Sequence, residues 1–500
     1  MKLLASNCYW IPVRNTKTQQ LELISFKALL ATDTPYQLVM PRDDMELAAL
    51  QLLICLVQVI FTPSNKQQWQ QRIKQPLTAD EYEQAVARMM DWFDLLHPQY
   101  PFMQTRGVTA TDPTPIQKLL IGLPEGNNHA FFNDVGEVKH LSAGMAAIAL
   151  FNQASNCPSF GGGFKGGLRG VPITTLITNQ DLRKTVWSNV LHEESLRNLL
   201  PNYDQHKNQA PVWVEPIKAA QKIALADIGL LRGLFWQPLR MELLLNAQDK
   251  PCDLLGGEAV AGFSGFNKEK FVFEVVGTGV WPHPHSPHWS DLRKQEYKFL
   301  AFTTPAPAWT QCLHYLYADN PRVESYVPAP VISQWQRDVR GGKLVLLVGG
   351  YRNKQASILE RRHELFTIGE GWQDDLGQQY LKHAVTFAVE AKKVLRGRLF
   401  VAVKGNHDKH IKGLGVPIHE MAEQRFYHDS YEVILDCFAA IDTKQEAKKA
   451  ISQFQHSIKR ICQQAFEAVV SPYQHNPALI KTIALTRQSL NIELNKLMDK

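Results

Sequence analysis

The stretch Arg398-Leu399-Phe400-Val401-Ala402-Val403-Lys404-Gly405-Asn406-His407-Asp408 admits two folds. Read as a strand, its apolar run ends in Gly-Asn-His-Asp, a signature of two-metal phosphoesterases in which Asn and His bind metals and phosphate. Read as the tail of a helix, it closes a long amphipathic segment that begins near residue 373. An Asp-x-His triplet occurs upstream at Asp204-Gln205-His206, but no Gly-Asp dipeptide exists anywhere in the chain, so the middle motif of the metal-dependent enzyme is missing. Without bridging carboxylates a two-metal site cannot hold its charge, and a short motif alone matches by chance. The helical reading is preferred. A metal-dependent phosphoesterase using residues 405–408 is kept as the alternative.

Outward from that stretch, four amphipathic helices can be drawn over about 373–397, 417–439, 442–470 and 476–498. Pro417 and Pro477 fit first-turn positions, and Asp442 and Asn476 fit caps. The pattern predicts an antiparallel four-helix bundle over residues 371–500. Between residues 392 and 412 seven basic side chains (Lys392, Lys393, Arg396, Arg398, Lys404, Lys409, Lys412) face one acid, Asp408. Charge runs are ordinarily solvated faces. At a bundle corner this one is also an electrostatic footprint for a phosphate backbone, which makes Lys392, Lys393, Arg396, Arg398 and Lys404 candidate phosphate contacts.

The bulk numbers set wide bounds. A chain of 500 residues, 45% hydrophobic and 20% charged, has an ordinary globular composition and length for roughly two to four domains. A net charge of +6 permits an anionic partner without demanding one. The seven cysteines form no CxxC pair, which argues against a zinc ribbon or a disulfide framework and for a reducing compartment. The N-terminus turns polar at Ser6-Asn7, unlike a signal peptide. The longest apolar stretch, 47–61, is broken by Gln51 and Gln58 and is too short to span a bilayer. A cytoplasmic protein without membrane partner is expected.

In the first 370 residues the outstanding stretch is Ser159-Phe160-Gly161-Gly162-Gly163-Phe164-Lys165-Gly166-Gly167-Leu168-Arg169-Gly170, with six glycines in twelve residues. Glycine lets another backbone approach closely, and Lys165 and Arg169 can offer charge to phosphate. A tight connection between two elements is equally consistent. A nucleotide P-loop is excluded, because Lys165 is not followed by Ser or Thr.

Elsewhere, Tyr9-Trp10-Ile11-Pro12-Val13 reads as an edge strand, since Pro12 cannot donate to a ladder. Asp43, with Glu46, reads as the cap of a core helix reaching about residue 61. A second helix is expected over 78–96 and a short apolar one over 147–153. Residues 126–144 read as a long loop carrying Phe131 and Phe132, which either tuck into the core or offer a stacking platform for a base. Phe266-Asn267-Lys268-Glu269-Lys270 reads as a tight turn projecting lysines. Trp281-Pro282-His283-Pro284-His285-Ser286-Pro287-His288-Trp289 has three histidines, but its prolines and its lack of carboxylate or cysteine favour a structural loop of stacked rings over a metal site. A buried strand over 345–350 feeds a donor cluster, Asn353, Lys354 and Gln355, and then a helix over 358–366. No Gly-x-Ser-x-Gly elbow exists; Gly262-Phe263-Ser264-Gly265 is one residue short. No catalytic residue is assigned, which points to a binding protein.

The string Pro41-Arg42-Asp43-Asp44-Met45-Glu46-Leu47-Ala48-Ala49-Leu50 resembles the CasA family, the large subunit of the type I-E CRISPR surveillance complex called Cascade. Pro101-Phe102-Met103-Gln104-Thr105, Arg232-Gly233-Leu234-Phe235-Trp236-Gln237-Pro238, Ala301-Phe302-Thr303-Thr304 and residues 147–154, 160–170, 281–287 and 349–363 also look like that family. The similarity runs from Trp10 into the C-terminal helices. It implies an α+β chain: a large mixed N-terminal domain of unusual topology, 1–370, plus the C-terminal antiparallel four-helix bundle, 371–500. It implies no enzyme activity and no cofactor. The family recognises the protospacer-adjacent motif of double-stranded DNA from the minor groove, helps open the duplex for the guide RNA, and offers a surface to a helicase–nuclease.

The resemblance also implies residues. A glycine-rich loop corresponds to Gly161, Gly162 and Gly163. A lysine finger corresponds to Lys270, with Lys268 nearby. A glutamine wedge corresponds to Gln355, flanked by Asn353, Lys354 and Ala356. A loop meeting the CRISPR RNA 5′ handle and other Cascade subunits looks like 127–142, with Phe131 as its anchor and Asn133 beside it. Some relatives carry clustered cysteines before the lysine finger. Here only Cys252 stands there, so no metal is expected. A general RNA-binding scaffold that ignores duplex DNA is a further alternative.

Overall fold

The Asp43–Ile60 helix is apolar nearly all round, and its buried face runs on every side from Asp44 to Gln58. Such a helix can only sit inside a domain. The computed structural model describes residues 1–123, 136–318, 324–405, 411–441 and 444–499. It divides into two compact units: Met1–Pro305, His314–Asp338 and Leu347–Glu364 in one, and Ala306–Leu313, Val339–Leu346 and Leu365–Lys500 in the other.

In the first unit the Asp43–Ile60 helix packs against the Ala143–Ser155 helix, itself buried from Gly144 to Ser155. Small sheets surround them. One has the order Leu21–Ser25, Tyr9–Asn15, Tyr36–Leu38. Another is centred on Gly262–Glu269, which pairs antiparallel with Arg240–Leu245, Thr114–Pro115 and Leu141–Ser142. A third runs Ser357–Ile368, Leu344–Lys354, Thr174–Ile177, of which residues 357–364, 347–354 and 174–177 belong to this unit. The chain is α+β, as expected.

Several local expectations are corrected. Tyr9–Asn15 is the central strand of its sheet, not an edge; Pro12 is tolerated because it lies beyond the last ladder pair with Tyr36–Leu38 and has only to accept, from the Val39 N–H. Asp43 is the first helical residue rather than the cap, and the cap position is Arg42. Thr78 and Glu81 form a capping box, but the helix they start stops at Ala87. The 147–153 helix is longer, Ala143–Ser155. Phe266–Glu269 is not a turn, since those residues continue the Gly262–Glu269 strand. Residues 358–366 are not a helix. Their Leu, Glu and Arg content favours one, yet pairing with Leu344–Lys354 makes them a strand, because cross-strand packing outweighs intrinsic preference.

The second unit holds four long helices, Asp375–Lys404, Ile418–Ala439, Lys444–Val470 and Pro477–Met498, and the first packs on each of the others. Leu381, Ala384, Ala388, Ala391, Leu395, Leu399 and Ala402 form its buried stripe. The three- and four-residue spacing continues through the ambiguous apolar run, which is therefore helix and not strand. That removes the strand on which the phosphoesterase reading rested. The helix ends at Gly405, whose φ is +71° and whose N–H bonds Val401. Asn406, His407 and Asp408 lie outside the described residues, as does Asp442. Asn476 caps the last helix through the Ala478 N–H at 3.1 Å. Pro417 stands one residue before its helix rather than inside it.

The histidine loop packs into the first unit as a cluster of rings, edge-to-face and not stacked as expected. Trp281 and His283 lie 5.8 Å apart and His283 and His285 5.1 Å apart, both edge-on. Burial, and then the nearby Arg169 charge, hold His283 well below its usual range and bring His285 down to about 3. Both rings stay neutral in the folded chain while an unfolded chain takes up protons below its ordinary value of 6.5. Stability contributed by these rings is complete above that value and is lost as pH falls toward the folded one. Urea midpoints measured from pH 7 down to about 4 should fall, and His285→Gln should reduce the slope by about one proton, or about 1.4 kcal/mol per pH unit.

Candidate nucleic-acid interface

The glycine stretch is anchored at one end and bare at the other. Arg169 is buried, 6% exposed, and its guanidinium donates five hydrogen bonds, to Thr174 Oγ1, Ser286 Oγ, Gln51 Oε1, the Ser155 carbonyl and Asn156 Oδ1. Lys165 turns back to donate to the Phe273 carbonyl, with its ammonium 4.5 Å from the Phe273 ring centre. The two cations that composition offers to a phosphate thus build the loop instead. Gly161, Gly162 and Gly163 have φ of +76°, +52° and +88°, a left-handed run that favours glycine. The turn is closed by the Phe164 N–H on the Gly161 carbonyl at 3.0 Å.

Two other segments meet this loop. A Cβ on Gly161 would stand 3.3 Å from Ala356 Cβ, and one on Gly163 would stand 3.7 Å from Lys270 Nζ. Ala356 belongs to the two-residue connection, Gln355-Ala356, between Leu344–Lys354 and Ser357–Ile368. Lys270 directly follows the Gly262–Glu269 strand. Gly162, Gly163, Lys270, Lys354, Gln355 and Ala356 are all exposed. Lys268 is partly buried and donates to Thr114 Oγ1 at 2.6 Å.

The hairpin is braced behind its tip. Tyr351 Oη donates to Asp44 Oδ2 and accepts from Asn152 Nδ2, each at 2.9 Å, and burial raises its phenol well above the ordinary value. Arg352 and Glu360 pair across the two strands at 2.7 Å. At the tip Asn353 Nδ2 donates to the Gln355 carbonyl at 2.6 Å, so Asn353 staples the turn rather than pointing outward. Gln355 has φ +54°, a conformation that strains a residue with a Cβ. Strain of this kind persists where the surroundings over-determine it, commonly at functional sites.

The model of the family described as CRISPR-associated protein Cse1 matches residues 7–465. The chain belongs to the Cse1 family. CRISPR-associated protein CasA/Cse1 of Thermus thermophilus is 24% identical over 347 residues, 66% of this chain and 64% of that protein, so the match spans just under two thirds of that relative. Among solved structures, Thermobifida fusca Cse1 superposes with a TM-score of 0.76 at 18% identity, over 100% of this chain and 98% of that one. Thermus thermophilus CasA (Cse1) gives 0.73 at 19%, over 99% of each chain. A chain of a CRISPR RNA-guided surveillance complex gives 0.69 at 14%, over 98% of this chain and 99% of that one. These likenesses show the Cse1 fold.

In this Cse1 chain the basic run of the second unit is largely paired. Lys392 and Arg396 share Glu423 at 2.7 and 2.8 Å, Lys393 meets Glu390 at 2.8 Å, and Arg398 meets Glu493 at 3.8 Å. Lys404 sits 4.4 Å from the Phe400 ring centre. The carboxylates come from outside the 392–412 window, so sequence counting missed them. Phe131 and Asn133 lie outside the described residues. The C-terminal side of their loop is pinned, with the Lys139 and His140 N–H groups on Asp253 Oδ2 at 2.7 and 2.8 Å. Ser195, His192 and Asp338 cluster but make no catalytic triad. Ser195 Oγ and Asp338 Oδ2 both face His192 Nε2, at 3.4 and 3.1 Å, whereas a triad places them on opposite nitrogens. His192 is the cap of the Glu193–Leu199 helix.

Gln355→Gly should relieve the left-handed strain and raise stability by about 0.5–1 kcal/mol net of glycine's added chain entropy. Urea unfolding of the full chain measures it, and an unchanged or lowered midpoint contradicts the strain.

Proposed function

We propose that this chain is the large, non-catalytic subunit of a CRISPR RNA-guided surveillance complex, and that it recognises the protospacer-adjacent motif of double-stranded DNA through the minor groove. The observation that carries this reading is the meeting of three segments far apart in sequence, Gly161–163, Lys270 and the Gln355 hairpin tip, on one exposed surface. Each part suits a narrow groove. Bare glycine backbone approaches where a side chain collides. A lysine reaches the acceptors on the groove floor, whose pattern is degenerate, so several motif sequences are tolerated. Gln355, held rigidly at a braced tip, acts as a wedge. Unstacking a base step costs a few kcal/mol and starts to melt the duplex. Guide pairing then reads the sequence, while the protein reads only the motif.

Within this reading, residues 1–370 form the motif-recognition domain and 371–500 the helical one. The loop 127–142, with Phe131 and Asn133, meets the CRISPR RNA 5′ handle and other Cascade subunits. A helicase–nuclease is recruited to the assembled complex. These partners rest on membership of the family. A cytoplasmic setting accords with this role, and among the described residues no helix is long and apolar enough to cross a membrane.

The test is duplex binding and opening by the reconstituted complex, with and without this subunit, on targets differing only in the motif. The subunit should confer motif-dependent opening, and Gln355→Ala and Gly162→Asp should each abolish it. Discrimination that survives without the subunit would leave it an RNA-binding scaffold. Lys354 is exposed and has no ion pair among the described residues. Lys354→Ala should lower the slope of log affinity against log salt by about one; an unchanged slope means it meets no phosphate.

A further inference from the structure

The two phenylalanines that bracket Gly161, Gly162 and Gly163 each lie against a lysine of the facing segment. Lys268 Nζ is 5.2 Å from the Phe160 ring centre, and Lys270 Nζ is 5.2 Å from that of Phe164. The two rings stand edge-to-face, 6.1 Å apart. We infer that Phe164 is a positioning residue: its ring holds the Lys270 ammonium beside Gly163, and so sets how sharply the reader discriminates its motif. The inference rests on the function proposed above.

A lysine has a long flexible stem, and a defined position for its ammonium needs a partner. A carboxylate would supply one, but it would cancel the charge and repel phosphate. Among the described residues Lys270 has no carboxylate partner, and the adjacent Glu269 is taken by Arg240 at 3.2 Å. An aromatic face attracts the cation through its quadrupole and leaves the net charge available to DNA. The same ring is set by the glycine turn itself, through the Phe164 N–H on the Gly161 carbonyl. Loop and lysine are thereby joined into one reading surface. Lys165 is the contrast: its ammonium is tied to a backbone carbonyl and serves the fold.

The experiment uses the assembled complex and compares binding to motif-bearing and motif-lacking duplexes for Lys270→Ala, Phe164→Leu and Phe164→Tyr. A further version carries pentafluorophenylalanine at position 164, which keeps the ring shape and reverses its quadrupole. Phe164→Leu and the fluorinated ring should each lower the motif preference by roughly 2- to 5-fold. Phe164→Tyr should retain it, and Phe164→Leu should add nothing once Lys270 is Ala. If the fluorinated ring behaves like Phe while Lys270→Ala loses discrimination, the ring only packs and the inference falls, with the motif reader intact. If Lys270→Ala itself discriminates normally, the lysine's part in the proposed function fails and takes this inference with it. The fluorinated version also decides the case should Phe164→Leu fail to fold.

Discussion

A buried guanidinium with no carboxylate partner among the described residues is the constraint around which the first unit is built. Arg169 ties together the Asp43–Ile60 helix through Gln51, the end of the Ala143–Ser155 helix through Ser155 and Asn156, the Thr174–Ile177 strand through Thr174, and the histidine loop through Ser286. Burial brings its pKa down to about 9, and a charge so placed is tolerated only when its donors are satisfied. It also helps to keep His283 and His285 neutral, so the loop that supplies Ser286 packs as uncharged, edge-to-face rings. One residue therefore sets the positions of two helices, a strand and a loop.

The same division recurs at each part of the surface: a fixed base and a bare tip. The glycine stretch is locked at Arg169 and exposed at Gly162 and Gly163. The hairpin is locked at Tyr351 and Glu360 and exposed at Gln355. A braced base matters because it holds the side chains at the tip in one position. The cations divide likewise. Arg169 and Lys165 spend their donors on the protein, whereas Lys270 rests on an aromatic face and keeps its charge available.

The helices of the second unit were legible because a 3.6-residue period can be read locally, and the stripe from Leu381 to Ala402 also resolves whether the 398–404 run is helix or strand. The glycine loop and the donor cluster were legible as unusual composition, and their assignment to a motif reader came from the family resemblance. The pairing of Lys392 and Arg396 with Glu423 and of Arg398 with Glu493 was not legible, since those carboxylates sit on other helices, whereas Glu390 and Lys393 stand three apart on one helix.

By itself, then, the sequence determined the four C-terminal helices, because periodicity and caps are local, while the α+β class was implied by the family resemblance. Only the tertiary structure decided that residues 357–368 form a strand, that Arg169 is core and not contact, and that Gly161 adjoins Ala356 and Gly163 adjoins Lys270. The last two outcomes depend on contacts between segments more than a hundred residues apart, and the first on pairing across a two-residue hairpin in which cross-strand packing outweighs local preference.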